Sequence, residues 1–125
     1  MEYITKIEKE FPLQPPENEK DNREYKRHLL FKEKNEVIFL NKRATQMKYR
    51  LLIGRGKAIY IIGIEDNGYN GGISENELMN SIQNILKIAI IINAEIKKIR
   101  IYKGLTGNIA TVRLLMDISN DEILL

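Results

Sequence analysis

The residues in this sequence with chemistry to offer are mostly cations, and they come in blocks. Within RATQMKYRLLIGRGK at 43–57, Arg43, Lys48, Arg50, Arg55 and Lys57 occur with no acid among them. Residues 25–57 hold ten bases and two acids, and residues 81–113 hold six bases and one acid. Between them, residues 58–80 carry four acids and no base, so the net charge is only +3. Such blocks suit a polyanion if the fold brings them together; scattered, they make an ordinary solvated surface. The candidate binding residues are Lys42, Arg43, Lys48, Tyr49, Arg50, Arg55 and Lys57 from the first block. The second block adds Lys98, Arg100, Tyr102, Lys103 and Arg113. Arg clasps phosphate bidentately or stacks on a base, and Tyr offers a stacking surface. Folded RNA is the polyanion these residue types would suit.

Other chemistries find little support. There is no cysteine, so disulfides and thiolate metal sites are unavailable. The single histidine, His28, has no evident catalytic partner, and a structural role is expected for it. IGRGKA at 53–58 falls short of a phosphate-binding loop, which needs glycine where Leu51 stands and Ser or Thr where Ala58 stands. Glu65 and Asp66 in EDNGYNGG lie beside glycines but lack the ligand periodicity of a calcium loop, so a turn is expected. Glu24, Glu65 and Asp66 would converge only if the ends of the first two strands were adjacent. No catalytic residue, metal ligand or cofactor is assigned.

The elements that must position the cations follow from periodicity. FPLQPPENEKDN at 11–22 holds all three prolines, and residues 1–22 read as an extended lead-in. EYKRHLLF at 24–31 reads as a first strand, with KEKNE as a solvated turn. Asn41 is the expected cap of a helix whose stripe is Leu40, Ala44, Met47 and Leu51, closed by Gly54 and Gly56. AIYIIGI at 58–64 is apolar in both registers, as in a buried central strand. Ser74 and Glu77 form a capping box for a second helix with stripe Leu78, Ile82, Ile85, Ala89 and Ile92, stopped at Asn93. EIKKIRIYK and NIATVRLLMDI, joined by GLTG, read as a hairpin with Lys98, Arg100 and Tyr102 on one side.

The resulting expectation is an α+β, two-layer sandwich of order β-α-β-α-β-β. It has a mixed four-stranded sheet with both helices on one face. The 125 residues suit one domain, placed at 23–118, with a tail at 119–125. The longest apolar run, IAIII at 88–92, is far shorter than the roughly 20 residues of a membrane span. The first residues carry early acids and no apolar core of a secretory signal. A cytoplasmic, monomeric protein without a membrane partner is therefore expected. Ile, Lys and Asn make up 46 residues, a bias that fits an AT-rich genome.

Several of these segments carry a resemblance. LQPPENEKDNREYK at 13–26 and ATQMKYRLLIGRGKAIYIIGIEDNGYNGGISENEL at 44–78 resemble, in order and spacing, the N-terminal domain of the GTP-binding protein 1 family of translational GTPases. The likeness runs over about residues 13–103. That family's GTPase and β-barrels have no counterpart in these 125 residues, so the resemblance implies the translation machinery but not GTP binding. As a chain of this size and pattern it is similar to the microsporidian dormancy-factor type of ribosome hibernation protein. That resemblance implies a non-catalytic factor, not an enzyme, that occupies the ribosomal E site, excludes tRNA and contacts rRNA and ribosomal proteins. A second similarity, through EYK and GKAIYIIGIEDNGYNGGI, is to the AlbA-type domain of Schlafen-like proteins. It implies the alternative of a metal-dependent RNase acting on tRNA or rRNA through a carboxylate cluster.

Overall fold

The computed structural model describes residues 4–31 and 35–119. Its elements run β1 (Ile4–Glu10), β2 (Arg23–Lys26), α1 (Glu36–Ile53), β3 (Lys57–Ile62), α2 (Glu75–Ile91), β4 (Glu95–Lys103) and β5 (Asn108–Leu115). The strands form one mixed sheet in the order β1-β4-β5-β3-β2. The edge strands β1 and β2 pair in parallel with β4 and β3, while β5 is antiparallel to both its neighbours. Both helices lie on one face, as expected for elements that each have a single broad apolar side.

The main core fills the space between helices and sheet. Met47 and Leu51 of α1 and Leu78, Ile82, Ile85 and Ile88 of α2 meet Tyr60, Ile62, Ile99, Val112 and Leu114 of the sheet. Helix α2 opens on the expected box, with the Glu77 amide donating to Ser74 Oγ at 3.1 Å. Its chain leaves through Asn93 at φ 58°, a left-handed conformation Asn tolerates. The capping box and the hairpin GLTG connection thus stand where expected.

Three expectations are corrected. The sheet has five strands, because residues 4–10, read as lead-in, pair along β4. Helix α1 begins at Glu36 after Asn35, not after Asn41, since Phe39 and Leu40 already pack on the core. The first strand expected at 24–31 ends at Lys26. Beyond it, the Leu29 amide donates to Ser81 Oγ at 2.9 Å, and Asn84 Nδ2 donates to the Leu29 carbonyl at 2.6 Å. Two buried polar groups of α2 thus satisfy a backbone that has left the sheet. Part of the expected KEKNE turn and the tail from 120 onward lie outside the described residues.

The segment after β1 crosses the sheet face opposite the helices. Phe11 packs with Tyr25, Ile61, Ile64 and Ile109 in a second, smaller core, and its ring lies 5.0 Å from that of Tyr102. The Tyr25 hydroxyl donates to the Pro15 carbonyl at 2.9 Å, and the Glu17 amide donates to Asp66 O at 2.7 Å. At the crossing, Gly68 has φ +92°, and a Cβ there would sit 1.8 Å from Gln14 O, so only glycine fits. This strap covers the end of the face near Gly63–Gly68 and leaves the other end bare.

Candidate nucleic-acid interface

The bare end of that face gathers four of the expected cations. Alternation along β4 sends Ile99 and Ile101 toward the helices and Lys98 and Arg100 the other way. Ile96 and Ile99 both reach the core because Lys97 is an extra residue: Ile96 pairs Leu114, while Lys98 pairs Arg113. On β5 the same rule turns Thr111 and Arg113 away from the helices, and on β3 it turns Lys57, Ile59 and Ile61. Register then sets Arg23, Ile59, Arg113 and Lys98 in one row across β2, β3, β5 and β4.

These side chains line a groove of about 570 Å³ whose charged members are Lys57, Lys98, Arg100 and Arg113, together with Lys97, which is paired with Glu95. Its floor and rim include Ile59, Leu114, Leu115 and Asn22. Asn22 Nδ2 donates to the Lys57 carbonyl at 2.9 Å, tying the start of β2 to the start of β3. No acidic side chain lines the groove. Among the described residues the four cations have no ion-pair partner; Glu95, on the nearby rim, pairs with Lys97 at 3.6 Å, and Arg23 with Asp21 at 3.7 Å. Lys98 and Arg113 stand directly opposite each other on antiparallel strands, where like charges oppose folding. A same-sign cluster with no counter-charge gives this face a positive potential that attracts anions.

The other expected residues do not join it. The cationic flank of α1 belongs to the helix layer, on the far side of the sheet, because Ala44, Met47 and Leu51 dock α1 there. The expectation of one surface spanning that helix and the hairpin is therefore overturned. Lys42 is exposed on α1. Arg43 folds over the Phe39 ring at 5.3 Å and donates to Gln46 at 3.1 Å. Lys48 is half-buried and engaged in an interaction of its own. The Tyr49 hydroxyl donates to the Glu19 carbonyl at 3.1 Å. Arg55 occupies the turn after α1 at φ 55°, around the end of the sheet from the groove. Tyr102 is spent on Phe11, and Lys103 pairs with Glu8 at 3.6 Å.

Arg50 is the clearest reassignment. It is 4% exposed, and its Nε donates to Glu24 Oε1 at 2.9 Å. Its Nη1 donates to the carbonyls of Asn18 and Asp21, and Nη2 lies 3.6 Å from Glu17. Burial alone would weaken its charge, but the hydrogen bond to Glu24 and the charges of Glu24, Glu17 and Asp21 outweigh it and raise its pKa. Arg50 clamps residues 17–24 onto α1. It is a structural cation, closed to a ligand.

The same clamp decides the fate of the carboxylates. Glu24 is buried against Arg50, with Lys26 Nζ 3.4 Å away, while Glu65 and Asp66 are exposed in the loop after β3. Glu24 is thus committed to α1 and does not open with them onto the hollow lined by Tyr25, Lys26, Arg27, Glu65, Asp66 and Asn67. Among the described residues no three His, Cys, Asp or Glu side chains cluster to hold a metal. His28 is half-buried, its Nδ1 out of solvent and without a hydrogen-bond partner.

Residues overlooked in the sequence are Asn22 and Lys97. Hydrogen bonds to β3 bring the first to the groove and the β4 bulge brings the second, of which the doubled lysine in EIKKIR was the visible trace.

Known proteins place part of this chain. No family model matches it, and no solved structure matches it. Over 89 residues, 71% of the chain, it is 40% identical to GTP-binding protein 2 of Mus musculus and of Homo sapiens, covering 14% of those proteins. Over 95 residues it is 33% identical to the uncharacterized protein R625 of Acanthamoeba polyphaga mimivirus, 75% of this chain and 50% of that protein. The chain is thus a partial homologue of GTP-binding protein 2 and spans a small part of its length. Among the described residues no helix is long and apolar enough to cross a membrane.

Proposed function

We propose that the protein is a non-catalytic ribosome-binding module that occupies the E-site region of inactive ribosomes and excludes tRNA. The observation that carries this reading is the groove of Lys57, Lys98, Arg100 and Arg113, concave and free of lining carboxylates. Neutralising phosphates with such cations releases counterions, which gives affinity without chemistry. A factor that blocks a site needs only to fit and be held, so the commitment of Glu24 to Arg50 costs it nothing. The resemblance to the N-terminal domain of a family of translational GTPases and to ribosome hibernation proteins supports translation as the setting. On this reading the protein works in the cytoplasm as a monomer, with rRNA and ribosomal proteins near the E site as partners and without GTP, cofactor or membrane.

The test is sedimentation with ribosomes from dormant cells, followed by competition with deacylated tRNA. Comigration at low salt, lost at high salt, in the Lys98→Glu/Arg113→Glu variant and with excess tRNA, is the expected result. Protein remaining at the top of the gradient at low salt, or comigrating undisturbed by tRNA, would overturn it.

A further inference from the structure

From the groove's dimensions and chemistry we infer that it takes the backbone of a single RNA strand, about four phosphates long, without reading its bases. The inference rests on the reading that this face meets RNA. It adds which form of RNA the groove grips and how.

The first observation is spacing. Lys98 and Arg100 are two residues apart on β4, roughly 6.8 Å at a strand's rise per residue. Arg113 and Lys57 follow on the next two strands, each step about 4.8 Å across the sheet. Arg100 lies two residues to one side of the Lys98–Arg113 row and Lys57 two residues to the other. The four positions therefore run diagonally across three strands over about 17 Å, in steps of about 5–8 Å, as a single flexible strand of phosphates could follow. A duplex is a broad convex cylinder whose phosphates are held on its outer ridges. It cannot lower four consecutive phosphates into a recess bounded by Asn22 on one side and the β4 bulge on the other.

The second observation concerns what is missing from the groove. Sequence-selective grip on unpaired bases uses aromatic rings exposed on the sheet as stacking platforms. The aromatic side chains on this face, Tyr25 and Tyr102, are taken up with the strap, Tyr25 through Pro15 and Tyr102 through Phe11. The apolar side chains that remain beside the cations on this face are Ile59 and Leu115. Such a groove holds phosphate and leaves the bases unread.

The experiment measures fluorescence anisotropy of the full chain with labelled 12-mers of oligo(U) and oligo(A) and with a 12-base-pair RNA duplex, over a salt series. Both single strands are expected to bind within about twofold of each other and the duplex at least tenfold more weakly. With four phosphates neutralised, the slope of log K against log salt is expected near −2.8, about a 50-fold loss between 50 and 200 mM salt. Lys98→Gln and Arg113→Gln should each flatten that slope by about 0.7. Circular dichroism confirms that each variant folds; a variant that does not is replaced by Lys57→Gln or Arg100→Gln. Preference for the duplex, a tenfold preference between the two homopolymers, or an unchanged slope in folded variants would overturn the inference. Ribosome comigration with no single-strand binding would sink this inference alone. Strand binding that depends on the groove, without ribosome comigration, would sink the E-site reading alone.

Discussion

Arg50 Nε sits 2.9 Å from Glu24 Oε1, with both side chains nearly out of solvent, and this pair joins α1 to the short edge strand β2. The remaining guanidinium protons reach the carbonyls of Asn18 and Asp21, so one side chain anchors the last part of the strap as well. Removing one member of such a pair leaves the other buried and uncompensated. Arg50→Ala is therefore expected to lower stability by about 3–5 kcal/mol in urea unfolding. The folded fraction should still bind RNA as the parent does. A stability change under 1 kcal/mol, together with weakened RNA binding, would return Arg50 to the ligand surface.

Glu17 gives the fold a dependence on pH. Burial raises its pKa above the usual 4.5, opposed by the Tyr25 amide and by Arg50, and reinforced by Glu24 and Asp66. A raised carboxyl favours the protonated form in the native state, which then binds more protons than the unfolded chain just above 4.5. The contribution to stability is thus greatest below that value and is lost as pH rises through the folded pKa. Gln keeps an acceptor for the Tyr25 amide, which lies 2.6 Å from Glu17 Oε2. Glu17→Gln should therefore flatten the urea midpoint over this window, and an unchanged pH profile would contradict the assignment.

The groove sets binding against folding. Lys98 and Arg113 repel each other across the strand pair, so Lys98→Thr, which also suits a strand, should stabilise the protein by about 0.2–1 kcal/mol. The same variant should bind RNA more weakly. Loss of stability on removing this charge, read from thermal unfolding, would mean that Lys98 serves the fold.

At Gly68 a side chain has no room, and the backbone conformation resists one. Gly68→Ala should cost about 1–3 kcal/mol and loosen the strap from the loop after β3. Hydrogen exchange at the amides of Gln14 and Glu17, which now donate to Gly68 and Asp66, would report it. Unchanged protection at both would show that the strap is held elsewhere.

Ser74 accepts the Glu77 amide at the start of α2, and Ser74→Ala should cost about 1 kcal/mol. Chemical denaturation is the measurement, and no change would mean that the packing of α2 suffices to set its first turn.

Local chemistry was legible along the chain because it depends on neighbours a few residues away. The capping box of Ser74 and Glu77, the apolar stripes of both helices, the buried strand ending at Ile62 and the alternation of Lys98 and Arg100 are all properties of short windows. They were enough for an α+β sandwich with its helices on one side. What they could not convey was which charges would meet. Arg50 and Arg113 look alike in the sequence, each a base beside apolar residues. Tertiary structure buried the first against Glu24 and left the second facing Lys98 in the open, because helix docking and strand register decide which side of the sheet each one reaches. The edge strand β1 was hidden for the same reason: ITKIEKE alternates too weakly to announce itself, and becomes a strand only where β4 offers an unpaired edge.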